Sequence, residues 1–115
     1  MKEFMLLFRS EPNPEQPSAE EMHDAIKMWQ DWIGGIAAQG KFVATNALEH
    51  GGKVVNHAGV ITDGPYAETK EIINGYIIVK ADTFEEAIKL GEGCPVYAVG
   101  GKVEVRPVMS IKFGG

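Results

Sequence analysis

The sequence has 115 residues, 44% of them hydrophobic and 23% charged, which is the size and composition of one ordinary globular domain. It carries 11 lysines and arginines against 16 acids and no basic run, which argues against a nucleic-acid-binding protein and against binding to anionic membranes. Its single cysteine, Cys94, excludes an intrachain disulfide and a cysteine-based metal cluster.

The first apolar run, Phe4–Phe8, is too short for the core of a signal peptide, and no small-residue cleavage site follows it. No stretch approaches the roughly 18 apolar residues that a membrane span needs. We therefore expect a cytoplasmic protein in which residues 1–115 form a single domain.

The first predicted elements are a strand and a long helix. Phe4–Arg9 has the alternation of a strand, with apolar side chains on both faces. Ser18 and Glu21 have the spacing of a capping box, which predicts a helix start, and Gly40 is expected to end that helix. The stripe between them recurs at helical spacing and comprises Met22, Ala25, Ile26, Trp29, Ile33, Ile36 and Ala37.

Strand patterns dominate the middle of the chain. Phe42–Leu48 is the second predicted strand, and Gly51-Gly52 after it is a hairpin turn signal. Lys53–Thr62 is the third predicted strand, either continuous or broken at Gly59. Asp63-Gly64-Pro65-Tyr66 is predicted to form a turn. Gly75–Ala81 is the fourth and is again apolar on both faces.

The last third of the sequence predicts a second helix and a closing strand. Thr83 and Glu86 repeat the capping-box spacing, and Cys94-Pro95 is expected to end the helix that they begin. Lys102–Val108 is the last strand, and Met109–Phe113 continues with a strand-like alternation.

Read coarsely, the five predicted strands and two helices approach the order β-α-β-β-α-β, which predicts a ferredoxin-like α+β fold, an antiparallel sheet with two helices on one face. Because two strands are apolar on both faces, the face without helices needs a cover. A second copy of the sheet is the simplest cover, so we expect a homodimer.

One run of residues is specific enough to suggest a family. Asp63-Gly64-Pro65-Tyr66-Ala67-Glu68-Thr69-Lys70-Glu71, followed by Gly75-Tyr76, resembles the YCII-related proteins, in particular their DGPF branch. Cys94-Pro95 and Val103–Val108 support the resemblance, and Tyr66 stands where the branch usually has Phe. The resemblance implies a dimeric α+β barrel with a cleft.

The resemblance also implies two kinds of function. Some relatives are small-molecule enzymes, including a dehalogenating type, and others are encoded beside sigma factors and labelled as transcription-related. In the YCII branch proper, a histidine early in the first helix and an aspartate before a late proline form the suspected active pair. His23 lies in the region of that histidine, whereas Cys94 stands where the aspartate would be.

Five residues are candidates for a site, and four of them have a structural alternative. Asp63 is a general acid or base held by a tight turn, or it only makes that turn. His23 is a catalytic base or a half-exposed structural histidine. Arg106 binds a carboxylate or pairs with a neighbouring Glu. We expect these three to converge on one cavity, with Tyr66 and Glu68 on its wall; the alternative for Glu68 is a solvated charged surface.

Three function classes follow from these candidates and from the resemblance. The first is a small-molecule enzyme of lyase, isomerase or dehalogenase type that acts on a small anionic substrate without a cofactor. The second is a non-catalytic binding or regulatory module that binds a small anionic ligand, and the third is an accessory protein that docks on a regulatory partner. The resemblance implies a link of such a non-catalytic module to sigma-factor systems. The sequence has no glycine-rich phosphate loop, and its three histidines lack metal-ligand spacing, so neither a nucleotide cofactor nor a metal is expected.

Overall fold

The structure, a computed structural model, describes residues 1–12, 17–64 and 71–111, with only the backbone described for residues 60–64. The chain forms, in order, β1 (Lys2–Ser10), α1 (Ala19–Ala38), β2 (Phe42–Ala47), β3 (Gly52–Asn56), β4 (Gly59–Gly64), β5 (Ile72–Ala81), α2 (Phe84–Gly91), a 3-10 helix (Pro95–Val99) and β6 (Lys102–Pro107).

The main sheet has four strands in the order β2-β5-β1-β6, and neighbouring strands are antiparallel throughout. The hairpin β3–β4 forms a separate two-stranded sheet between β2 and β5 in the chain. Without that hairpin, the strand order and the two helices are those of a ferredoxin-like α+β fold. The predicted fold class is therefore confirmed.

The two faces of the main sheet differ in burial. On β1, Phe4, Leu6 and Phe8 point toward the helices and are buried, because alternate side chains of a strand share a face. Met5 and Leu7 point the other way and are only half-buried. We call the face without helices the open face.

The ends of α1 follow the predicted signals. Ser18 Oγ accepts a hydrogen bond from the Glu21 backbone N–H at 3.1 Å, and Glu21 Oε1 accepts from the Ser18 backbone N–H at 3.2 Å. Hydrogen bonding of the Glu21 carboxylate to the Ser18 backbone N–H and to the Ser18 side chain lowers the pKa of that carboxyl. Gly40, beyond the last turn, has a φ of 73°, which favours glycine.

The second capping signal is confirmed at its N-cap residue. Thr83 Oγ1 accepts from the Glu86 backbone N–H at 3.1 Å. The Glu86 carboxylate, however, pairs with Lys41 Nζ at 2.5 Å, which ties the start of α2 to the residue before β2. The hydrogen bond from Lys41 lowers the pKa of Glu86.

The predicted third strand is corrected by the structure. Residues 53–62 form two strands, β3 and β4, which pair with each other around a turn at His57-Ala58. Asn56 Oδ1 accepts from the Ala58 backbone N–H at 2.9 Å, and Gly59 follows with a φ of 119°. The signal at Gly51-Gly52 does not join β2 to β3 as a hairpin, because β2 pairs with β5.

Two further boundaries differ from the prediction. Helix α2 ends at Gly91, and Cys94-Pro95 begins the 3-10 helix, since proline is well tolerated in a first helical turn. Residues 108–111 are not a strand, and Phe113 lies outside the described residues. Within the described ranges, neither helix is long and apolar enough to cross a membrane.

Candidate functional site

A cleft of about 430 Å³ opens between α1 and the helix-facing side of the sheet. We call it the α1 cleft. Its lining comprises Phe8, Ile26, Trp29, Gln30, Ile33, Thr45, Asn46, Ala47 and Asn74. The described lining is mainly apolar, with three amide side chains and one hydroxyl and without an ionisable group.

Three aromatic rings pack together beside the α1 cleft, and two of them, Phe8 and Trp29, line it. The Phe8 ring lies 4.8 Å from that of Trp29 and 5.8 Å from that of Trp32, and the two indoles are 5.7 Å apart, all edge to face. Trp32 Nε1 also donates to the Leu90 carbonyl at 3.0 Å. The helix stripe predicted from the sequence therefore supplies both core and cleft wall.

A bulge in β5 brings Asn74 to the cleft. On β1, Phe8 pairs with Gly75 and Arg9 pairs with Ile73, so Asn74 has no register partner there. Bulges redirect side chains in this way, and they are common beside active sites. Asn74 Nδ2 donates to Ser10 Oγ at 2.6 Å, which holds the amide on the helix side of the sheet.

Two of the polar lining residues are engaged by β5. Thr45 Oγ1 donates to the Tyr76 carbonyl at 2.8 Å, and Asn46 Nδ2 donates to the Tyr76 hydroxyl at 2.9 Å. Asn74 Oδ1, in contrast, is buried and accepts no hydrogen bond from the described part of the chain. The cleft thus holds one buried acceptor without a protein partner in the described residues.

His23 lies near the α1 cleft but is not part of its described lining. It is exposed on α1, three residues before Ile26 and seven before Gln30, so it shares their side of the helix. His23 therefore lies about two helical turns from Gln30, and its role in a site stays a prediction.

Arg106 lies on the open face, away from the α1 cleft. It pairs in register with Met5, whose side chain points away from the helices. Its side chain is 69% exposed, and its Nε lies 3.8 Å from Glu104 Oε2, which is the ion pair named as the alternative. Arg9, on the same face, pairs with Glu104 as well. One protomer does not bring His23 and Arg106 together.

The other predicted site residues fall at or beyond the limits of the description. The backbone of Asp63 pairs with Lys53 in the β3–β4 hairpin. Tyr66 and Glu68 lie outside the described residues. The expected convergence of Asp63, Tyr66 and Glu68 on the cleft therefore stays a prediction.

Cys94 belongs to the core rather than to the cleft. It is 3% exposed, and burial raises the pKa of its thiol to about 11. A thiol with that pKa is protonated at neutral pH and is a weak nucleophile. In the residues that the structure describes, no group of three or more His, Cys, Asp or Glu side chains is placed to hold a metal ion.

Sequence reasoning did not find Asn74, Thr45 or Gln30. For Asn74 a signal exists in Asn74-Gly75, a polar residue and a glycine inside an apolar strand, because this combination is typical of a bulge. Thr45 and Gln30 carry no comparable signal. Their place in the lining depends on how α1 crosses the sheet.

The family model for the YCII-related domain matches residues 2–112, nearly the whole chain. The chain belongs to the YCII-related family. Among solved structures, it is similar to the 5-chloro-2-hydroxyhydroquinone dehydrochlorinase TftG from Burkholderia phenoliruptrix, in complex with 2,5-dihydroxybenzoquinone. The TM-score is 0.50 at 15% identity, covering 96% of this chain and 95% of that one, which establishes a shared fold. The comparison with curated proteins gave no significant match.

Proposed function

We propose that this YCII-related protein is a small-molecule enzyme of lyase, isomerase or dehalogenase type, that it works without a redox cofactor, and that the α1 cleft is its substrate site. The observation that carries the proposal is the cleft itself. At about 430 Å³ it has the volume of a small-molecule site, and such sites combine apolar walls with a few placed polar groups.

The lining favours a flat, mostly apolar ligand. Phe8 and Trp29 offer aromatic surfaces, and Ile26 and Ile33 offer aliphatic ones. The anionic substrate expected from the sequence relied on Arg106, which lies on the open face. The described lining residues include no lysine or arginine, so they favour contact with the ring of such a substrate rather than with its charge.

The structural neighbour is consistent with such a ligand. TftG, with the same fold, was solved with a hydroxylated six-membered ring bound, and its named reaction removes chloride from a hydroxylated ring. We extend this ligand class to the YCII-related chain as part of the proposal. We also assign the chain to the DGPF branch, on the strength of the run from Asp63 to Glu71.

For the proton transfer we propose His23, with Asp63 as its acidic partner. Histidine both gives and takes a proton at neutral pH, which suits a reaction that needs an acid and a base. His23 is the ionisable residue on α1 that shares a side with Ile26 and Gln30. Tyr66 and Glu68 complete the proposed wall.

A non-catalytic ligand-binding module is the second candidate. It is favoured by one observation, the lack of any ionisable side chain in the described lining of the α1 cleft. Under this alternative the protein binds the same ring compounds but does not convert them. Its link to sigma-factor systems, implied by the family resemblance, would then be regulatory.

Calorimetric titration with 2,5-dihydroxybenzoquinone and related hydroxylated rings tests the cleft. We expect binding by the wild type and at least tenfold weaker binding by Ala47→Leu, because the added side chain fills the cleft at the end of β2. Ala58→Leu, on the hairpin turn, is the matched control and should bind like the wild type. Equal binding by all three proteins would contradict the proposed site.

Turnover separates the two candidate functions. The protein is incubated with 5-chloro-2-hydroxyhydroquinone, and released chloride is measured. We expect release by the wild type and a loss of 10²-fold or more in His23→Gln, the usual scale for a general acid or base. Binding without conversion, in both the wild type and His23→Gln, would favour the non-catalytic module.

A further inference from the structure

We propose that Asn74 determines which ligands the α1 cleft prefers, by accepting a hydrogen bond from a hydroxyl or N–H group on the ligand. The inference rests on the proposed function of the cleft and adds to it the chemical class of its ligand. The predicted ligand is a ring that carries a hydrogen-bond donor.

The orientation of the Asn74 amide is the first step of the argument. Its Nδ2 donates to Ser10 Oγ at 2.6 Å, and Ser10 is itself a buried residue of β1. With the nitrogen held there, the oxygen is the end of the amide that faces away from Ser10. The oxygen is therefore the buried atom of this amide that has no partner in the described residues, whereas the nitrogen keeps a bond to Ser10.

The second step is that this acceptor lacks a partner in the described residues. Asn74 Oδ1 is buried, and native proteins leave few buried polar atoms without a hydrogen bond. The Thr45 hydroxyl and the Asn46 amide nitrogen already donate to Tyr76, and Gln30 is exposed to water. Asn74 Oδ1 is thus the buried polar atom of the described lining that has no hydrogen bond.

A ligand must be able to reach the Asn74 oxygen. Asn74 is a lining residue of the cleft, and its oxygen is buried. The χ2 torsion of an asparagine has a broad distribution of allowed angles. A small rotation about χ2 therefore brings the oxygen toward a bound ring without forcing the side chain into an unfavourable rotamer. A donor on the ligand makes this turn favourable, whereas a ring without a donor leaves the oxygen unpaired.

The experiment uses phenol and fluorobenzene, two rings of similar size of which only phenol carries a donor. Dissociation constants are measured by NMR titration, followed at the indole N–H signals of Trp29 and Trp32. We expect the wild type to prefer phenol. In Asn74→Leu the ratio of the two constants should shift toward fluorobenzene by roughly 3- to 10-fold, the contribution of one net hydrogen bond.

Ser10→Ala provides a second variant in case Asn74→Leu does not fold. Without the Ser10 hydroxyl, the Asn74 amide can also turn its nitrogen toward the ligand. The preference for phenol should therefore decrease, as in Asn74→Leu. Asn56→Leu, the same exchange on the exposed turn of the β3–β4 hairpin, should keep the ratio of the wild type.

The outcomes distinguish this inference from the function on which it rests. If both probes bind and the ratio stays unchanged in Asn74→Leu and Ser10→Ala, Asn74 is not the determinant, although the cleft remains a ligand site. If neither probe binds the wild type, the proposed cleft is wrong and the role of Asn74 is overturned with it.

Discussion

Cys94 shows how strongly one buried side chain can respond to its surroundings. It belongs to the core cluster together with Leu6, Ala87 and Val96. Burial penalises the thiolate more than the thiol, which raises the pKa to about 11, while a backbone hydrogen bond at Val96 opposes the shift. The raised pKa agrees with a structural role for Cys94.

This pKa predicts how stability depends on alkaline pH. The pKa of the thiol is about 9.0 in the unfolded chain and about 11 in the folded one. The stabilisation that this pKa difference gives to the folded state is therefore complete below pH 9 and is lost as the pH rises to 11. We expect the free energy of unfolding, measured in urea, to fall more steeply over this range for the wild type than for Cys94→Ala. Burial also raises the pKa of Tyr97 in both proteins, and in the wild type the charge of the ionised Cys94 raises it further, which acts in the same direction. Parallel curves would contradict the prediction.

The candidate site could be predicted only in part from single residues. The position of His23 on the shoulder of the α1 stripe could be predicted, because helical spacing fixes which residues share a side. The face on which Arg106 lies could not, because alternation along a strand separates two faces without saying which one the helices cover. Asn74 reaches the cleft through a bulge, and a bulge changes that alternation by one residue.

At the scale of whole elements, the strongest local signals gave correct boundaries. Ser18 with Glu21 and Gly40 set the ends of α1, because caps act on the backbone of their own helix. The β3–β4 hairpin was missed, since apolar residues on both sides of Asn56 and Gly59 suggest one continuous strand. Its turn is made by a side-chain bond from Asn56, which periodicity does not reveal.

Two glycines should respond in opposite ways to alanine. An added Cβ at Gly34, inside α1, meets no described atom within 4 Å, so Gly34→Ala should stabilise the protein by about 0.5–1 kcal/mol. At Gly75, in β5, the Cβ would lie 2.5 Å from the Asn46 carbonyl oxygen with φ at +157°, so Gly75→Ala should destabilise by roughly 1–3 kcal/mol. Urea denaturation measures both, and a shift of the same sign in both would contradict the account.

At the scale of the whole molecule, the open face is the surface that we expect to bind a partner. Met5 and Leu7 on β1 and Tyr76 and Ile78 on β5 are half-buried there, although neither helix covers them. Glu104 adds a charged group that pairs with arginines on the same face. An apolar area with a polar border is typical of a surface that meets another protein, and two copies related by a twofold axis can present the same patch to each other.

We therefore predict a homodimer that joins two open faces and buries on the order of 1,600 Å² in total. Sedimentation at micromolar concentration should give twice the chain mass of 12.5 kDa. Ile78→Glu should shift the protein to a monomer, because a carboxylate would be buried without a partner at the centre of the interface. Val99→Glu, at a 68% exposed position on the 3-10 helix, is the control and should remain dimeric. A wild-type monomer, or a dimer that Ile78→Glu leaves intact, would mean that the open face is covered in another way.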